Sequence, residues 1–243
     1  MNKHKIKVVI VEPLGAINIG SIARLCENFG ADELRLVAPR CNYLAPEAKM
    51  MAVHGKSFLE NASIFSNLSD ALNDCARIVA TCGRIDHGDI PLHSSEEALK
   101  WLLSGSEVNP IAIVFGREDK GLTNSELQMA QKVITLSTST AYPSLNLSHA
   151  VAVILHQLNN YRNSNKLQFE HDPASSKEIE DCIEDTKDLL LEIGFLYKHT
   201  ANARMSKIKG LIQRAESRSE DISLIRGIIR QVRWFSNNKT SQK

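Results

Sequence analysis

The chain has 243 residues, of which 43% are hydrophobic, and this composition suits one large globular domain or one domain with a small appendage. A net charge of +1 gives no overall bias towards a polyanion, so a nucleic-acid surface has to come from local clusters of basic residues. The start of the chain lacks the apolar core of a secretory signal, and no apolar run approaches the roughly 20 residues that span a bilayer, so we expect a cytoplasmic protein without a membrane segment.

Strand-like and helix-like segments alternate over residues 1–162, a pattern that predicts an α/β domain built on a mainly parallel sheet. The predicted strands are Lys7–Val11, Glu33–Val37, Ser63–Phe65, Arg77–Thr81, Ile111–Phe115 and Lys132–Leu136. The predicted helices are Ile19–Phe29, Leu68–Asp74, Ser95–Leu103, Asn124–Ala130 and Leu147–Tyr161. We expect Gly30 to form a C-cap and Ser94 or Ser95 to form an N-cap.

The sequence changes character after Tyr161, because residues 163–176 are polar, include Pro173 and lack an apolar period. We interpret them as a linker. Residues 177–243 are predicted to form a small all-α extension. Its predicted helices are Lys177–Ile193, Ala203–Ala215 and Asp221–Phe235.

Charge is unevenly distributed over this extension. Residues 170–192 hold nine acidic and two basic side chains, whereas residues 196–243 hold eleven basic and three acidic ones. The basic segment is a candidate polyanion-binding surface. The alternative is a dimer-stabilising helical hairpin whose basic side chains neutralise the acidic helix before it.

The five cysteines are widely scattered, and neither they nor the eight histidines show the spacing of a metal site. We therefore predict reduced, mostly structural thiols and assign no metal.

The first candidate site segment follows the first predicted strand and runs from Glu12 to Arg24. Ligands bind at the carboxyl ends of strands in open α/β sheets. Arg24 lies one helical turn beyond Gly20, from where its guanidinium could reach a phosphate or a reacting hydroxyl. The alternative interpretation is a capping Asn18 and a surface-paired Arg24.

The second segment is a polar loop after the strand Ile111–Phe115, punctuated by Gly116 and Gly121. Glycines let backbone amides approach a ligand closely, because no side chain obstructs them. The loop matches neither the phosphate-binding nor the dinucleotide-binding glycine pattern. A structural turn is the alternative.

The third segment is a hydroxyl-rich loop that leads from Leu136 into the helix at Leu147. Ser144 and Asn146 supply small hydrogen-bonding groups near the helix N-terminus, where unpaired amides favour polar or anionic ligands. Capping alone would also explain both residues.

In this order, the three segments resemble the SPOUT superfamily, specifically its RNA 2′-O-methyltransferase group, which includes TrmH and TrmJ. The resemblance rests on Asn-x-Gly-Ser-x-Ala-Arg at 18–24, Phe-Gly-Arg-Glu at 115–118 and Ser-Leu-Asn-Leu-Ser at 144–148. The TrmJ branch is the most similar, because Val114–Leu127 continues its pattern and the extension also looks similar. One departure is Ala141–Pro143, where a proline could alter the cofactor loop.

The resemblance implies methyl transfer from S-adenosylmethionine to a ribose 2′-hydroxyl of tRNA, with cytidine or uridine at position 32 of the anticodon loop as the expected target. It also implies a parallel-sheet fold with a C-terminal trefoil knot and a homodimer in which a first-motif arginine meets the partner's cofactor pocket. Methylation of ribosomal RNA and a non-catalytic RNA-binding protein of this fold are the alternatives.

Site residues follow from the same resemblance, motif by motif. The expected catalytic residues are Arg24, Asn18, Ser144, Asn146 and Glu118. The expected cofactor-binding residues are Thr81, Cys82, Gly83, Gly116, Leu136, Pro143, Ser144 and Leu145. The expected RNA contacts are Arg24, Arg117, Arg204, Lys207, Lys209 and Arg214. In related enzymes the arginine is proposed to assist deprotonation, but arginine normally stays protonated, so we expect Arg24 to orient and stabilise.

Overall fold

The computed structural model describes residues 4–83, 88–104, 109–139, 144–163 and 173–240. A sheet of seven parallel strands forms its centre, in the order β3-β2-β1-β6-β4-β7-β5. The strands are β1 (Ile6–Val11), β2 (Glu33–Val37), β3 (Ser63–Phe65), β4 (Arg77–Thr81), β5 (Leu92–His93), β6 (Ile111–Phe115) and β7 (Lys132–Ile134). The predicted α/β class with a parallel sheet is confirmed.

Helices cover both faces of the sheet and form the extension. Those of the α/β part are α1 (Ala16–Phe29), α2 (Pro46–Ala52), α3 (Lys56–Glu60), α4 (Leu68–Leu72), α5 (Ser95–Leu103), α6 (Asn124–Leu127) and α7 (Leu147–Asn163). Those of the extension are α8 (Ser176–Glu192), α9 (Ala201–Arg214) and α10 (Ser219–Thr240). No helix in these described ranges is both long and apolar enough to cross a membrane.

The central strand β1 is buried along its whole length, as expected for a parallel sheet covered on both sides. Val8 and Ile10 point into the core formed with α1, α5 and α7. Val9 and Val11 point into the opposite core, formed with α4 and α6. This alternation explains why Val8–Val11 of β1 is a continuous apolar run.

Some predicted boundaries were wrong. Helix α1 begins at Ala16 rather than Ile19, and α6 ends at Leu127 rather than Ala130. Strand β7 ends at Ile134, so Leu136 lies beyond it. The short elements α2, α3 and β5 were not predicted.

Two predicted helix caps are confirmed. Gly30 ends α1 in the left-handed conformation, with φ of 62°. Ser94 begins α5, where its side chain accepts the Glu97 N–H at 3.1 Å.

The extension has a core of its own, shared by α8, α9 and α10. Helix α8 starts within the predicted linker, behind a capping box in which Ser175 and Glu178 bond each other's backbone. Acidic residues of α8 pair with basic residues of α9 and α10, with Arg226 Nε at 2.7 Å from Asp185 and Arg233 Nε at 3.1 Å from Glu192. Part of the basic charge therefore neutralises α8, as the alternative interpretation expects.

The carboxyl ends of the central strands lie at one edge of the sheet, because β1, β6, β4 and β7 are parallel neighbours. Glu12, Gly116 and Cys82 each follow one of these strands directly. The third motif segment follows β7, so all three segments leave the sheet at the edge where α/β proteins bind ligands.

Candidate active site

Glu118 connects the second motif segment to the first. Its Oε2 accepts the Leu14 N–H at 3.0 Å, and its Oε1 accepts the Gly15 N–H at 3.1 Å and the Asn18 side-chain amide at 3.1 Å. Gly15 is the N-cap residue of α1 and has no side chain to cap it. Glu118 instead accepts the N–H of Gly15 itself, one of the amides that a helix start leaves unpaired, and its negative charge suits a helix N-terminus. The first turn of α1 is thus fixed by a residue about 100 positions along the chain.

Asn146 connects the third motif segment to the first. Its Nδ2 donates to Asn18 Oδ1 at 3.0 Å. Its Oδ1 accepts the Ser148 N–H at 2.9 Å and the Ser148 hydroxyl at 2.7 Å, which caps α7. Asn146 therefore caps a helix and bonds Asn18 at the same time, so capping does not account for all its contacts.

Arg24 is exposed on α1, and no residue in the described part of the chain hydrogen-bonds or ion-pairs with its side chain. Its backbone, in contrast, is tightly packed. A Cβ on Gly55 would lie 2.5 Å from the Ala23 carbonyl oxygen and 2.8 Å from the Arg24 Cα. The position of Arg24 is fixed while its guanidinium stays available to a substrate.

Arg117 lies between two carboxylates. It bonds both oxygens of Glu126, at 2.9 and 3.0 Å, and also pairs with Glu12. The hydrogen bond from Arg117 is the largest cause that holds the pKa of Glu12 below its ordinary value, and Arg40 contributes less. Only 13% of the Arg117 side chain is exposed. These ion pairs argue against the expected RNA contact, which stays a prediction.

Gly116 and Gly121 both have structural reasons to be glycine. A Cβ on Gly116 would lie 2.2 Å from the Gly121 carbonyl carbon, because the loop folds back on itself. Gly121 has φ of 63° and exchanges two backbone hydrogen bonds with Arg117, at 3.0 and 3.3 Å. The turn also presents Glu118 towards α1.

The expected cofactor segments lie side by side, because β4 is flanked by β6 and β7. The Thr81 hydroxyl donates to the Val114 carbonyl at 3.1 Å, and the Cys82 N–H to the Ile134 carbonyl at 2.8 Å. Beyond them Gly83 is exposed, and no heavy atom of the described residues lies within 4 Å of the position that a Cβ would occupy. Gly83, the last described residue after β4, therefore offers open backbone without a side chain.

The remaining expected cofactor residues follow β7. Leu136 is half-buried against the core of the α1 face. Ser144 and Leu145 are exposed just before α7. Pro143 lies outside the described residues.

The expected RNA contacts of the extension fall into two groups. Arg204, Lys207 and Arg214 are exposed on α9. Lys209 pairs with Glu180 of α8, and 17% of its side chain is exposed. The first three therefore present free charge to solvent, whereas Lys209 contributes to the packing of the extension.

Within the ranges that the structure describes, no group of three or more His, Cys, Asp or Glu side chains is placed to hold a metal ion. All five cysteines are free thiols. Burial raises the pKa of the Cys26 thiol well above its usual value.

Two carboxylates of this edge were not predicted as site residues. Glu12 and Glu126 hold Arg117 from either side. The pattern Thr123-x-x-Glu126 carried a readable signal, since it is the capping box that the structure shows for α6. The position of Glu12 carried no such signal, because its partner follows a different strand.

Comparison with known proteins finds matches to both parts of the chain. Residues 5–156 match the model of the SpoU rRNA Methylase family, and residues 177–243 match that of the C-terminal domain of tRNA methyltransferase TrmJ. The tRNA (cytidine-2'-O-)-methyltransferase TrmJ of Methanocaldococcus jannaschii is 39% identical over 184 residues, which are 73% of this chain and 77% of that protein.

Two further likenesses extend over nearly the whole chain. The tRNA (cytidine/uridine-2'-O-)-methyltransferase TrmJ of Citrobacter koseri is 29% identical over 244 residues, covering 97% of this chain and 99% of that protein. The crystal structure of TrmJ from Z. mobilis ZM4 superposes with a TM-score of 0.82 at 28% identity, covering 93% of this chain and 98% of the other.

Proposed function

The chain belongs to the SpoU rRNA Methylase family, and from this membership and its TrmJ C-terminal domain we propose that it methylates a ribose 2′-hydroxyl of tRNA. One observation carries the proposal. The hydrogen-bonded junction of Glu118, Asn18 and Asn146 unites all three motif segments, and the helix it fixes carries the exposed Arg24. Such an arrangement suits a reaction that depends on positioning an RNA hydroxyl.

Two observations support tRNA as the substrate class. The domain matched by residues 177–243 is described as part of a tRNA methyltransferase, and both relatives are named for tRNA methylation. Cytidine or uridine at position 32 of the anticodon loop is the target that the TrmJ-like motifs favour. Ribosomal RNA is the competing substrate, because the family model is described by it.

S-adenosylmethionine supplies an electrophilic methyl group when bound, and the described residues fit such a ligand. Gly83 leaves open space after β4 among the described residues, and Gly116 directly follows β6, the strand beside β4. Leu136 and Leu145 add apolar surface after β7, the strand on the other side of β4. Backbone groups of these segments, with Thr81, Cys82, Pro143 and Ser144, would hold adenine and ribose, which carry no net charge.

In this proposal Arg24 orients the RNA and stabilises the negative charge that develops on the 2′-oxygen as its proton leaves. The guanidinium keeps its own proton, because arginine is not deprotonated in proteins. Asn18, Glu118 and Asn146 keep the start of α1 fixed, so that Arg24 needs no rearrangement during the reaction. Ser144, which is exposed before α7, would hold either the ribose or the cofactor.

The extension contributes the RNA-binding surface. Arg204, Lys207 and Arg214 are exposed and suited to phosphate contacts, which are largely independent of sequence and weaken as salt rises. Lys209 contributes less, because Glu180 already neutralises it.

Three broader expectations accompany the proposal: a homodimer, a trefoil knot and a cytoplasmic location. Helix α7, the last helix of the α/β part, packs against both α1 and α5. In a homodimer, Arg24 of one protomer would complete the cofactor pocket of its partner.

The test is incubation of the protein with radiolabelled S-adenosylmethionine and total RNA, followed by separation of the RNA classes and mapping of the labelled nucleotide. We expect label in tRNA, at a ribose resistant to alkaline hydrolysis. Label in ribosomal RNA would identify ribosomal RNA, rather than tRNA, as the substrate. Its absence from every RNA would support a non-catalytic RNA-binding protein.

A further inference from the structure

A cluster of three side chains connects the extension to the α/β domain. Trp101, near the end of α5, is 4% exposed, and its indole N–H donates to Glu216 Oε2 at 2.7 Å. Lys132, at the start of β7, lies with its Nζ 3.2 Å from Glu216 Oε1. The same ammonium lies 5.4 Å from the centre of the Trp101 ring. One carboxylate thus bonds two buried groups of the α/β domain.

Trp101 itself is held from the α/β side. The guanidinium of Arg77 lies 4.9 Å from the centre of its ring and donates to the Ser104 hydroxyl at 2.6 Å. Arg77 is 1% exposed. Because the ring is fixed in this way, its N–H points to one place, where Glu216 accepts it.

Glu216 belongs to the turn between α9 and α10, where its φ is 51°. This left-handed conformation is unusual for glutamate and persists only where surrounding contacts fix it. The next residue, Ser217, accepts the Ala174 N–H at 2.7 Å, which ties the turn to the start of α8. The Ser206 hydroxyl adds a contact at 2.7 Å to Gln128 of the α/β domain.

These contacts matter for a substrate that touches both parts of the chain. Phosphate contacts on α9 and the reacting ribose near Arg24 form one binding surface only if the two parts keep a fixed relative orientation. A freely moving extension would have to lose that freedom on binding, which weakens affinity without any lost contact.

We propose that Glu216 locks the helical extension onto the α/β domain through Trp101 and Lys132, and that it thereby acts as a positioning residue for RNA binding. The proposal rests on the proposed function, because it assigns the lock to tRNA binding. It concerns the alignment of the extension and leaves the chemistry at the strand ends unchanged.

The protein offers a direct probe of this lock. Its two tryptophans are Trp101 and Trp234, and Trp234 is 61% exposed on α10. In a Trp234→Phe background Trp101 is the single tryptophan, so its emission maximum and its quenching by acrylamide report whether the extension covers it. Glu216→Ala removes the lock, Glu216→Gln keeps an acceptor for the indole, and Glu220→Ala, on the exposed start of α10, is the matched control.

We expect Glu216→Ala to make Trp101 more accessible to acrylamide and to raise the Kd for tRNA by on the order of tenfold. The affinity for S-adenosylmethionine and kcat at saturating tRNA stay unchanged. Glu216→Gln should fall between wild type and Glu216→Ala, which keeps the test decisive if the alanine variant does not fold. Glu220→Ala should behave as wild type.

Unchanged quenching of Trp101 in both Glu216 variants would refute the lock. An accessible Trp101 with unchanged tRNA affinity would refute its role in RNA binding. Failure of the proposed function has a different signature, because wild-type protein that methylates no tRNA still yields the tryptophan and tRNA-binding measurements.

Discussion

Three polar side chains, Glu118, Asn18 and Asn146, make a single hydrogen-bonded unit from segments that are far apart in sequence. The three residues could be recognised in the sequence as parts of motifs, but their hydrogen-bond partners could not be predicted from it. Capping was the alternative interpretation of Asn146, and Asn146 does cap α7, but its second bond to Asn18 depends on how α1 and α7 pack. Ion pairing of Arg117 with Glu12 and Glu126 likewise became visible only in the fold.

Glu118→Ala should destabilise the protein and slow methyl transfer. The substitution removes the carboxylate that accepts hydrogen bonds from the Leu14 N–H, the Gly15 N–H and the Asn18 side chain. Each lost hydrogen bond lowers the free energy of unfolding by about 1 kcal/mol. Urea unfolding and single-turnover methylation measure the two effects. Asp119→Ala, next to it and exposed, is the control. Equal stability of the two variants would contradict the capping role.

Arg24→Ala should leave folding and cofactor affinity nearly intact, because the exposed side chain has no partner among the residues that the structure describes. The single-turnover rate should fall by roughly 100-fold, the cost of losing a preorganised charge at a reacting oxygen. Arg24→Lys keeps the charge without the planar fork and should recover part of the rate. A folded alanine variant with near-normal transfer would overturn this role.

At the scale of elements, the strands were easier to predict than the connections between them. The apolar runs Val8–Val11 of β1, Ile78–Ala80 of β4 and Ile111–Phe115 of β6 are buried on both faces, so composition alone identifies these strands. The early start of α1 was missed because its cap comes from Glu118. Helices α2 and α3 were missed because they are short, with seven and five residues.

Helix α1 packs on α2 so closely that Gly20 has no room for a side chain. A Cβ there would lie 2.2 Å from the Ala48 carbonyl oxygen, so Gly20→Ala must push backbone apart. We expect a loss of about 1–3 kcal/mol in the free energy of unfolding. Gly227→Ala is the matched control, because that helical position on α10 has no heavy atom within 4 Å of a new Cβ. The control should be neutral or stabilise the protein slightly, and a Gly20→Ala variant as stable as the control would contradict the close packing.

At the scale of the whole molecule, the basic residues of the extension fall into two groups. Some are exposed to solvent, and others form ion pairs with α8. The sequence shows how many basic residues the extension has. It does not show that Lys209, Arg226 and Arg233 are the ones that pair with α8. It depends on how three helices pack into one core.

Substitution of Arg204, Lys207 and Arg214 by glutamine should weaken tRNA binding and flatten its salt dependence. Each lost phosphate contact lowers the slope of log K against log salt by about 0.7–0.9. The paired residues offer the control, because Arg226→Gln and Arg233→Gln should affect stability more than the salt slope. An unchanged slope in the triple variant would place the RNA elsewhere.

The central claim is methyl transfer to a ribose 2′-hydroxyl, and one measurement tests it directly. A tRNA is prepared with a single 2′-deoxynucleotide at the mapped target, expected at position 32, and incubated with the protein and labelled S-adenosylmethionine beside the unmodified tRNA. We predict that the unmodified tRNA accepts the methyl group and that the deoxy-substituted tRNA, still bound with similar affinity, accepts none. Undiminished methylation of the deoxy-substituted tRNA would contradict ribose 2′-O-methylation at that nucleotide.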